Sequence, residues 1–326
     1  MPRVPLVLLV VLVGCGDPLS NQLLLEDDLF RTSLPARDDV ATDAPRIEDA
    51  GARDLGERAD LVTTTVAVSE VYNGIVFSLL GVVDGIIEND VTRREEDLRI
   101  WGPWPGRRDG TSARLVVTRA EDALFAYSLE VAPVPAWQAD DATEWQILME
   151  GVFERGASLR EGDGEFRFDA SVWSVVDARF DDATGELLVG HARSGERVRV
   201  DAICTSLQFN EKDRLDDASY RYRGGDGLGG FFEYATTGDL VGQGEDAESY
   251  VIRSRWTAEL TGRADYLMTG GSVGEVVVPG SECWDGELLR TWFLFDGPGT
   301  EFDVEEGDEA SCVFAREEPG TDAPGL

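Results

Sequence analysis

From about residue 94 onward, the chain alternates between short apolar or aromatic stretches and turn sequences, and this alternation limits the possible folds more than any other feature. Turn sequences such as DATG, GGDG and LTGR recur throughout. In the stretch RADYLM, the residues Ala264, Tyr266 and Met268 occupy every second position. A period of two predicts strands that bury one face, and tight turns between such strands predict antiparallel hairpins.

Short strands follow one another with little chain between them. The predicted strands are 113–119, 124–131, 144–149, 165–176, 186–193, 197–209, 219–223, 231–239, 250–260, 263–268, 275–278, 289–295 and 311–316. The dipeptide Thr261-Gly262 should form a two-residue turn that pairs the strands on either side of it. Strands that pair with their neighbours in the sequence form a meander.

One long apolar stretch precedes the strands. Within residues 60–88 the polar residues Glu70, Asn73, Asp84 and Glu88 fall near one helical stripe, and Asp60 is suited to cap the helix start. The uncharged centre, 71–83, is 13 residues long, whereas a membrane-spanning helix needs about 20. We therefore expect a helix that the protein covers on most of its sides.

Together these patterns predict a mainly β fold. We expect one domain over residues 59–316, in which a curved antiparallel meander packs against one long apolar helix near residues 60–88. So many strands would curl into a barrel, a half-barrel or a sandwich.

The N-terminus has the pattern of an export signal. Arg3 precedes a short apolar run that ends in the tetrapeptide Leu12-Val13-Gly14-Cys15. This tetrapeptide resembles the lipobox of bacterial lipoproteins at all four positions. The resemblance implies that residues 1–14 are a signal peptide cleaved after Gly14, and that Cys15 carries a diacylglycerol thioether and usually an acylated amine.

The same resemblance implies a location in the cell envelope, anchored to a membrane by lipid. Gly16, rather than an acid, follows Cys15, which favours the outer over the inner membrane. Residues 15–58 are rich in charged residues, Ala and Pro, and we expect a disordered acidic tether with a span of about 35 Å. The tail 317–326 is also expected to be disordered.

Three cysteines remain once Cys15 is lipidated. An exported compartment permits disulfides. Cys283 lies in a loop and Cys312 at the start of the last predicted strand, so we expect these two to pair. Cys204 is then left as an unpaired thiol, which in folded proteins is most often buried.

Charge excludes one class of partner. The chain carries 64 acidic against 29 basic residues, for a net charge of −35. Nucleic acids and anionic surfaces require a basic patch, so we expect no nucleic-acid partner. The excess of acidic residues is consistent with a protein surface whose carboxylates are exposed to water.

Several short motifs suggest enzymes without supporting one. The G-x-S-x-G at 270–274 and the G-x-G-x-x-G at 225–230 are both followed by predicted strands, whereas each motif functions before a helix. His191 is the single histidine and is expected at the surface. We therefore predict no catalytic residue, metal site or cofactor, although acidic loops such as 213–217 leave a structural calcium open.

Two hypotheses for a non-enzymatic function remain, and a hydrolase is a further alternative for which the sequence shows no credible site. A curved sheet around an apolar helix is similar in architecture to envelope lipid carriers, which favours a non-enzymatic envelope protein that binds an apolar ligand. Trp101 and Trp104 would then be aromatics at the ligand mouth, or alternatively would pack beneath a Pro-Gly turn. The alternative function is a structural or protein-interaction module of the envelope. An apolar cavity on the order of several hundred cubic ångströms would indicate a carrier.

Overall fold

A computed structural model describes residues 18–45, 55–158, 161–209, 217–225, 227–238, 247–296, 304–317 and 319. Its strands are β1 (Arg93–Glu95), β2 (Leu98–Pro105), β3 (Ser112–Arg119), β4 (Leu124–Ala132), β5 (Gln146–Arg155), β6 (Gly162–Asp169), β7 (Thr184–Ser194), β8 (Arg197–Gln208), β9 (Ala218–Gly225), β10 (Gly229–Gly238), β11 (Glu248–Trp256), β12 (Gly262–Gly270), β13 (Val278–Trp284), β14 (Arg290–Phe295) and β15 (Val304–Gly307). The α-helices are α1 (Pro18–Arg31), α2 (Arg37–Val40) and α3 (Asp60–Ile87).

All the strands belong to one antiparallel sheet whose spatial order equals the sequence order. Each strand pairs with its neighbours in the chain, and among the described residues β1 pairs only with β2 and β15 only with β14. The predicted meander is therefore confirmed, but the sheet is open and a barrel is not formed.

The helix α3 is the element around which the sheet is built. It contacts β2 near one end of the strand order and β10, β11 and β12 towards the other, so the sheet must bend around it. We call the face that packs on α3 the inner face. The predicted helix is confirmed within one residue at its C-terminal end.

The interior is filled by side chains from α3 and the inner face. Tyr72, Val76 and Leu80 of α3 are fully buried, in one cluster with Phe125 and Phe166 of the sheet. Close packing of this kind provides the main apolar contribution to stability.

The opposite side of α3 differs from expectation. An uncharged stripe of small and apolar residues is exposed along the helix: Ala67, Val71, Gly74, Ser78, Val82 and Gly85. These positions recur every three or four residues, so they share one helix face. The sheet thus covers one side of α3, not most of it.

The segment predicted to be a disordered tether is largely folded. Between residues 18 and 45 it forms α1 and α2, and Phe30, Leu34 and Val40 are buried in the core. The acidic composition was misleading because the acids are paired: Asp27 of α1 binds Arg94 and Arg99 at 3.0 and 2.7 Å. Cys15 and residues 46–54 lie outside the described residues.

Other boundaries also need correction. The predicted strand 165–176 ends at Asp169, whose side chain accepts a hydrogen bond from the N–H of Ser171 and starts a 3-10 helix, Ala170–Val175. The predicted last strand, 311–316, is not a strand. Cys312 instead follows a 3-10 helix, Glu309–Ser311, and the last strand is β15.

Candidate functional site

A groove of about 1020 Å³ crosses the sheet from β6 to β11. Its apolar residues include Leu228 in the β9–β10 turn, Phe231 of β10 and Phe314 near the C-terminus. Guanidinium groups form much of the remaining lining: Arg193, Arg197, Arg199, Arg223 and Arg255. We call this depression the outer groove. Its size is typical of ligand or peptide sites.

Most of these arginines already have acidic partners. Arg199 binds Asp163 at 3.1 Å, and Arg223 binds Asp201 at 2.8 Å. Arg197 is exposed and forms no ion pair within the described part of the chain. The outer groove thus combines apolar residues and nearly neutral walls with one cation, Arg197, that has no acidic partner among the described residues.

One wall of the outer groove is a segment that we call the C-terminal strap, residues 308–317. The predicted disulfide Cys283–Cys312 is confirmed, with 5.5 Å between the two Cα atoms, and it ties the strap to β13. Arg255 donates to the carbonyl of Ala315 at 2.7 Å and lies over the ring of Phe314. These contacts hold Phe314 at the edge of the groove.

A continuous series of ion pairs fixes the strap to the outer face. In order, its members are Asp201, Arg221, Glu233, Arg253, Glu317, Arg255, Asp265, Arg263 and Glu309. We call this series the ion-pair ladder. It arises from strand register, because Glu233 lies directly opposite Arg221 of β9 and Arg253 of β11. Its central carboxylates, Glu233 and Asp265, are buried.

Sequence reasoning did not find the outer groove, although a signal was present. Arginines two residues apart occur in RVRVD, YRYRG and IRSRW, on β8, β9 and β11. A spacing of two places both arginines of a pair on one face of a strand. The predicted meander already placed these strands near one another, and what could not be read from the sequence is that Phe314 lies beside them.

A second pocket of about 750 Å³ lies between α3 and the residues that follow α2. Asn73 accepts a hydrogen bond from the N–H of Thr42 at 2.9 Å and donates to its carbonyl at 2.8 Å. The hydroxyl groups of Thr42 and Ser69 are 2.6 Å apart. These contacts fasten the chain after α2 onto α3.

His191 is not at the surface, as the sequence suggested. It lies on the inner face of β7 and is 2% exposed, beside the rings of Phe153 and Phe166. Burial lowers the pKa of His191 to about 4, so the ring is neutral at pH 7. The residues next to it, Gly190 and Ala192, are small, and the polar residues that suggested exposure begin only at Arg193, near the end of β7.

Cys204 is free and buried. Burial raises the pKa of its thiol to about 12, and its neighbours include Tyr220. A thiol that is protonated and shielded from solvent is chemically inert.

The two tryptophans proposed for a ligand mouth do not form one. Trp101 is fully buried in the core, and Trp104 is half-buried and packs against the same cluster. A bulge in the pairing of β2 with β3 separates them. This arrangement fits the packing alternative.

The motifs resembling enzyme signatures have no helix after them. Residues 271–273 form a short 3-10 turn before β13, and Gly225 pairs with Gly229 where β9 meets β10, so a strand follows the second motif. Within the described ranges, no group of three or more His, Cys, Asp and Glu side chains is placed to hold a metal ion. The acidic loop 213–217 lies almost entirely outside those ranges.

By length and composition, α3 is apolar enough to cross a membrane. One face of this helix, which includes Tyr72, Val76 and Leu80, is buried against the sheet. No protein-family model, curated protein or solved structure matches the chain.

Proposed function

We propose that this protein is a lipid-anchored, non-enzymatic component of the bacterial cell envelope that binds a protein partner in its outer groove. The anchor is Cys15, by the lipobox resemblance of residues 12–15, and the membrane is the outer membrane. The observation that carries the binding role is the outer groove itself, in which the apolar residues Leu228, Phe231 and Phe314 lie beside Arg197, which is exposed and has no ion-pair partner among the described residues.

The partner that best matches the chemistry of the outer groove is a peptide segment with apolar and acidic side chains. An apolar side chain on Leu228 and Phe231 would be removed from water, and a carboxylate at Arg197 would gain a charge-assisted hydrogen bond. The paired arginines would remain neutralised by this chain's own acids. A partner of strongly basic character would instead be drawn to the remaining acidic surface.

The filled interior argues against transport of a lipid inside the sheet. In a half-barrel carrier the inner face would enclose the ligand, whereas here Tyr72, Val76 and Leu80 of α3 occupy that space. Of the two hypotheses from the sequence, this packing favours the interaction module.

A second candidate function rests on the exposed stripe of α3. The stripe runs along the uncharged side of the helix and includes Val71 and Val82, which are 47% and 39% exposed. An apolar ligand that binds along this stripe would contact apolar side chains without entering the core. This form of the apolar-ligand hypothesis remains compatible with a packed interior.

Site-specific crosslinking in the native host tests the leading proposal. A photo-reactive residue at Leu228, which is 50% exposed, is expected to capture one protein, and Arg197→Glu is expected to abolish that product. Ile147 is exposed to a similar extent on another part of the sheet and is the matched control. No protein adduct at Leu228, together with stoichiometric lipid in the purified Cys15→Ser protein, would favour the apolar-ligand function instead.

A further inference from the structure

The folded body begins very close to the proposed lipid anchor. Gly16 and Asp17 are the only residues between Cys15 and the first residue of α1, Pro18. Three residue steps span at most about 11 Å when fully extended. A long tether would leave the domain free above the membrane, whereas this spacing holds the start of α1 against it.

Helix α1 is rigidly attached to the rest of the domain. Phe30 is fully buried, and Arg99 lies over its ring at 4.3 Å. Arg99 also donates to the carbonyl of Leu23 at 2.9 Å and binds Asp27. The helix therefore does not swing independently, and its orientation on the membrane sets that of the whole domain.

The outward side of α1 is apolar at its middle. Leu24 is 51% exposed and Leu25 is 82% exposed. Leu25 lies seven residues from Pro18, about 10 Å along the helix axis. The two leucines are thus within reach of a bilayer that holds the chain at Cys15.

The acids of α1 would not repel that bilayer strongly. Glu26 lies within 3.7 and 3.6 Å of Arg99 and Arg119. Asp27 is paired with two arginines, and Asp28 is 3.4 Å from Arg31. This local balance contrasts with the net charge of −35 of the whole chain.

We propose that α1 lies on the bilayer surface, with Leu24 and Leu25 inserted among the lipid headgroups and upper acyl chains. This inference rests on the proposed lipidation of Cys15, which supplies the first attachment, and the leucines add the second. Because α1 packs near β3, the membrane faces the β1–β3 end of the sheet. The lining of the outer groove begins at Asp163 of β6, three strands or about 14 Å from β3 across the sheet, and most of it lies farther away, so the groove stays accessible.

The test uses a nitroxide label on the lipidated protein in vesicles of phosphatidylethanolamine and phosphatidylglycerol. In a Leu25→Cys variant the new thiol is the reactive one, since Cys204 is buried and Cys283 and Cys312 are bridged. The label is expected to collide more with oxygen, which dissolves in lipid, than with a water-soluble nickel complex. Val276→Cys, at a 39% exposed position in the β12–β13 connection, is the control and should show the opposite ratio.

The mass of the N-terminal peptide separates the two proposals. If Cys15 carries acyl chains and the label at position 25 collides mainly with the nickel complex, the membrane contact of α1 is wrong and the anchor stands. If the label is shielded from both probes, α1 contacts protein and the inference is also overturned. An unmodified Cys15 would refute the lipid anchor itself.

Discussion

The carboxylate of Glu282, on β13, accepts hydrogen bonds from the backbone N–H groups of Asp60 and Leu61 at 3.0 and 2.5 Å. It thereby caps the first turn of α3 across 222 and 221 residues of sequence. The residue before the helix, Ala59, offers no side-chain cap. Asp60, which the sequence suggested as the cap, instead binds Arg290 at 3.0 Å.

Removal of this carboxylate should be costly. In Glu282→Ala, the helix N–H groups lose their acceptor and the buried guanidinium of Arg290 loses its closest partner. We expect the free energy of unfolding to fall by about 3–5 kcal/mol, measured by chemical denaturation. Glu275→Ala, at an exposed position, should change it by less than about 0.5 kcal/mol. Equal losses of unfolding free energy in the two variants would show that the cap made by Glu282 does not stabilise the fold.

The buried His191 should make stability depend on pH. Its pKa is about 4 when folded, against an ordinary 6.5, so the unfolded chain binds more protons between these values. Stability is therefore lost as pH falls from 6.5 towards 4. Over that range the unfolding free energy of the wild type should fall by about 3 kcal/mol more than that of His191→Leu. If the unfolding free energies of the two proteins changed with pH in the same way, the ring of His191 would not be neutral and buried.

The disulfide predicts a definite pattern of thiol labelling in Cys15→Ser protein. Without reductant, the native protein should show no reactive thiol, because Cys204 is buried. Denaturation alone should expose Cys204, and reduction should add Cys283 and Cys312. The bridge closes 29 residues of sequence separation, and its removal should cost about 3–4 kcal/mol. Labelling of Cys312 before reduction would argue against the bridge.

The packing of α1 predicts that the segment before residue 46 contributes to stability. Phe30 is fully buried and meets the ring of Phe125 edge-on at 5.5 Å. Phe30→Ala should lower the free energy of unfolding by about 3–5 kcal/mol. Leu25→Ala, on the exposed side of the same helix, should leave it nearly unchanged in solution. If neither substitution changed the free energy of unfolding, the segment before residue 46 would act as a tether, as the sequence predicted.

The buried charge pairs of the ion-pair ladder should contribute more to stability than an exposed pair elsewhere on the sheet. Glu233 is buried between Arg221 and Arg253, and Glu233→Gln should cost about 2 kcal/mol because both guanidiniums lose an ionic partner. In Glu186→Gln the lost pair with Arg167 is half exposed on both sides, and less than about 1 kcal/mol is expected. Thermal denaturation at low and high salt provides the comparison, since screening should weaken only the exposed pair.

The elements with strong local signals could be predicted from the sequence. The helix near 60–88 follows from its stripe of polar residues. The strands on either side of Thr261 pair as expected, but the predicted two-residue turn is wrong, because residues 257–261 connect β11 to β12 and Gly262 belongs to β12. The Cys283–Cys312 pair was predicted although the strand assigned to Cys312 was wrong. Cys283 also lies on β13 and not in the predicted loop, so the short intervening chain was the signal that sufficed.

The remaining features depend on contacts between distant parts of the chain. Residues 18–45 look like a solvated linker until Asp27 meets Arg94 and Arg99, more than sixty residues later. Likewise, the outer groove exists only because β8 to β11 are adjacent and the strap brings Phe314 to them. The acidic composition gave no warning that arginines would gather on one face.

The first and last strands of the order explain how such a wide open sheet avoids fibrils. The first strand, β1, is three residues long with the sequence RRE, and the last, β15, is four residues long with the sequence VEEG. Short, charged edge strands present few free backbone groups to another chain and surround them with hydrated side chains. The sheet thus ends on both sides in a poor template for growth by addition of strands from other molecules.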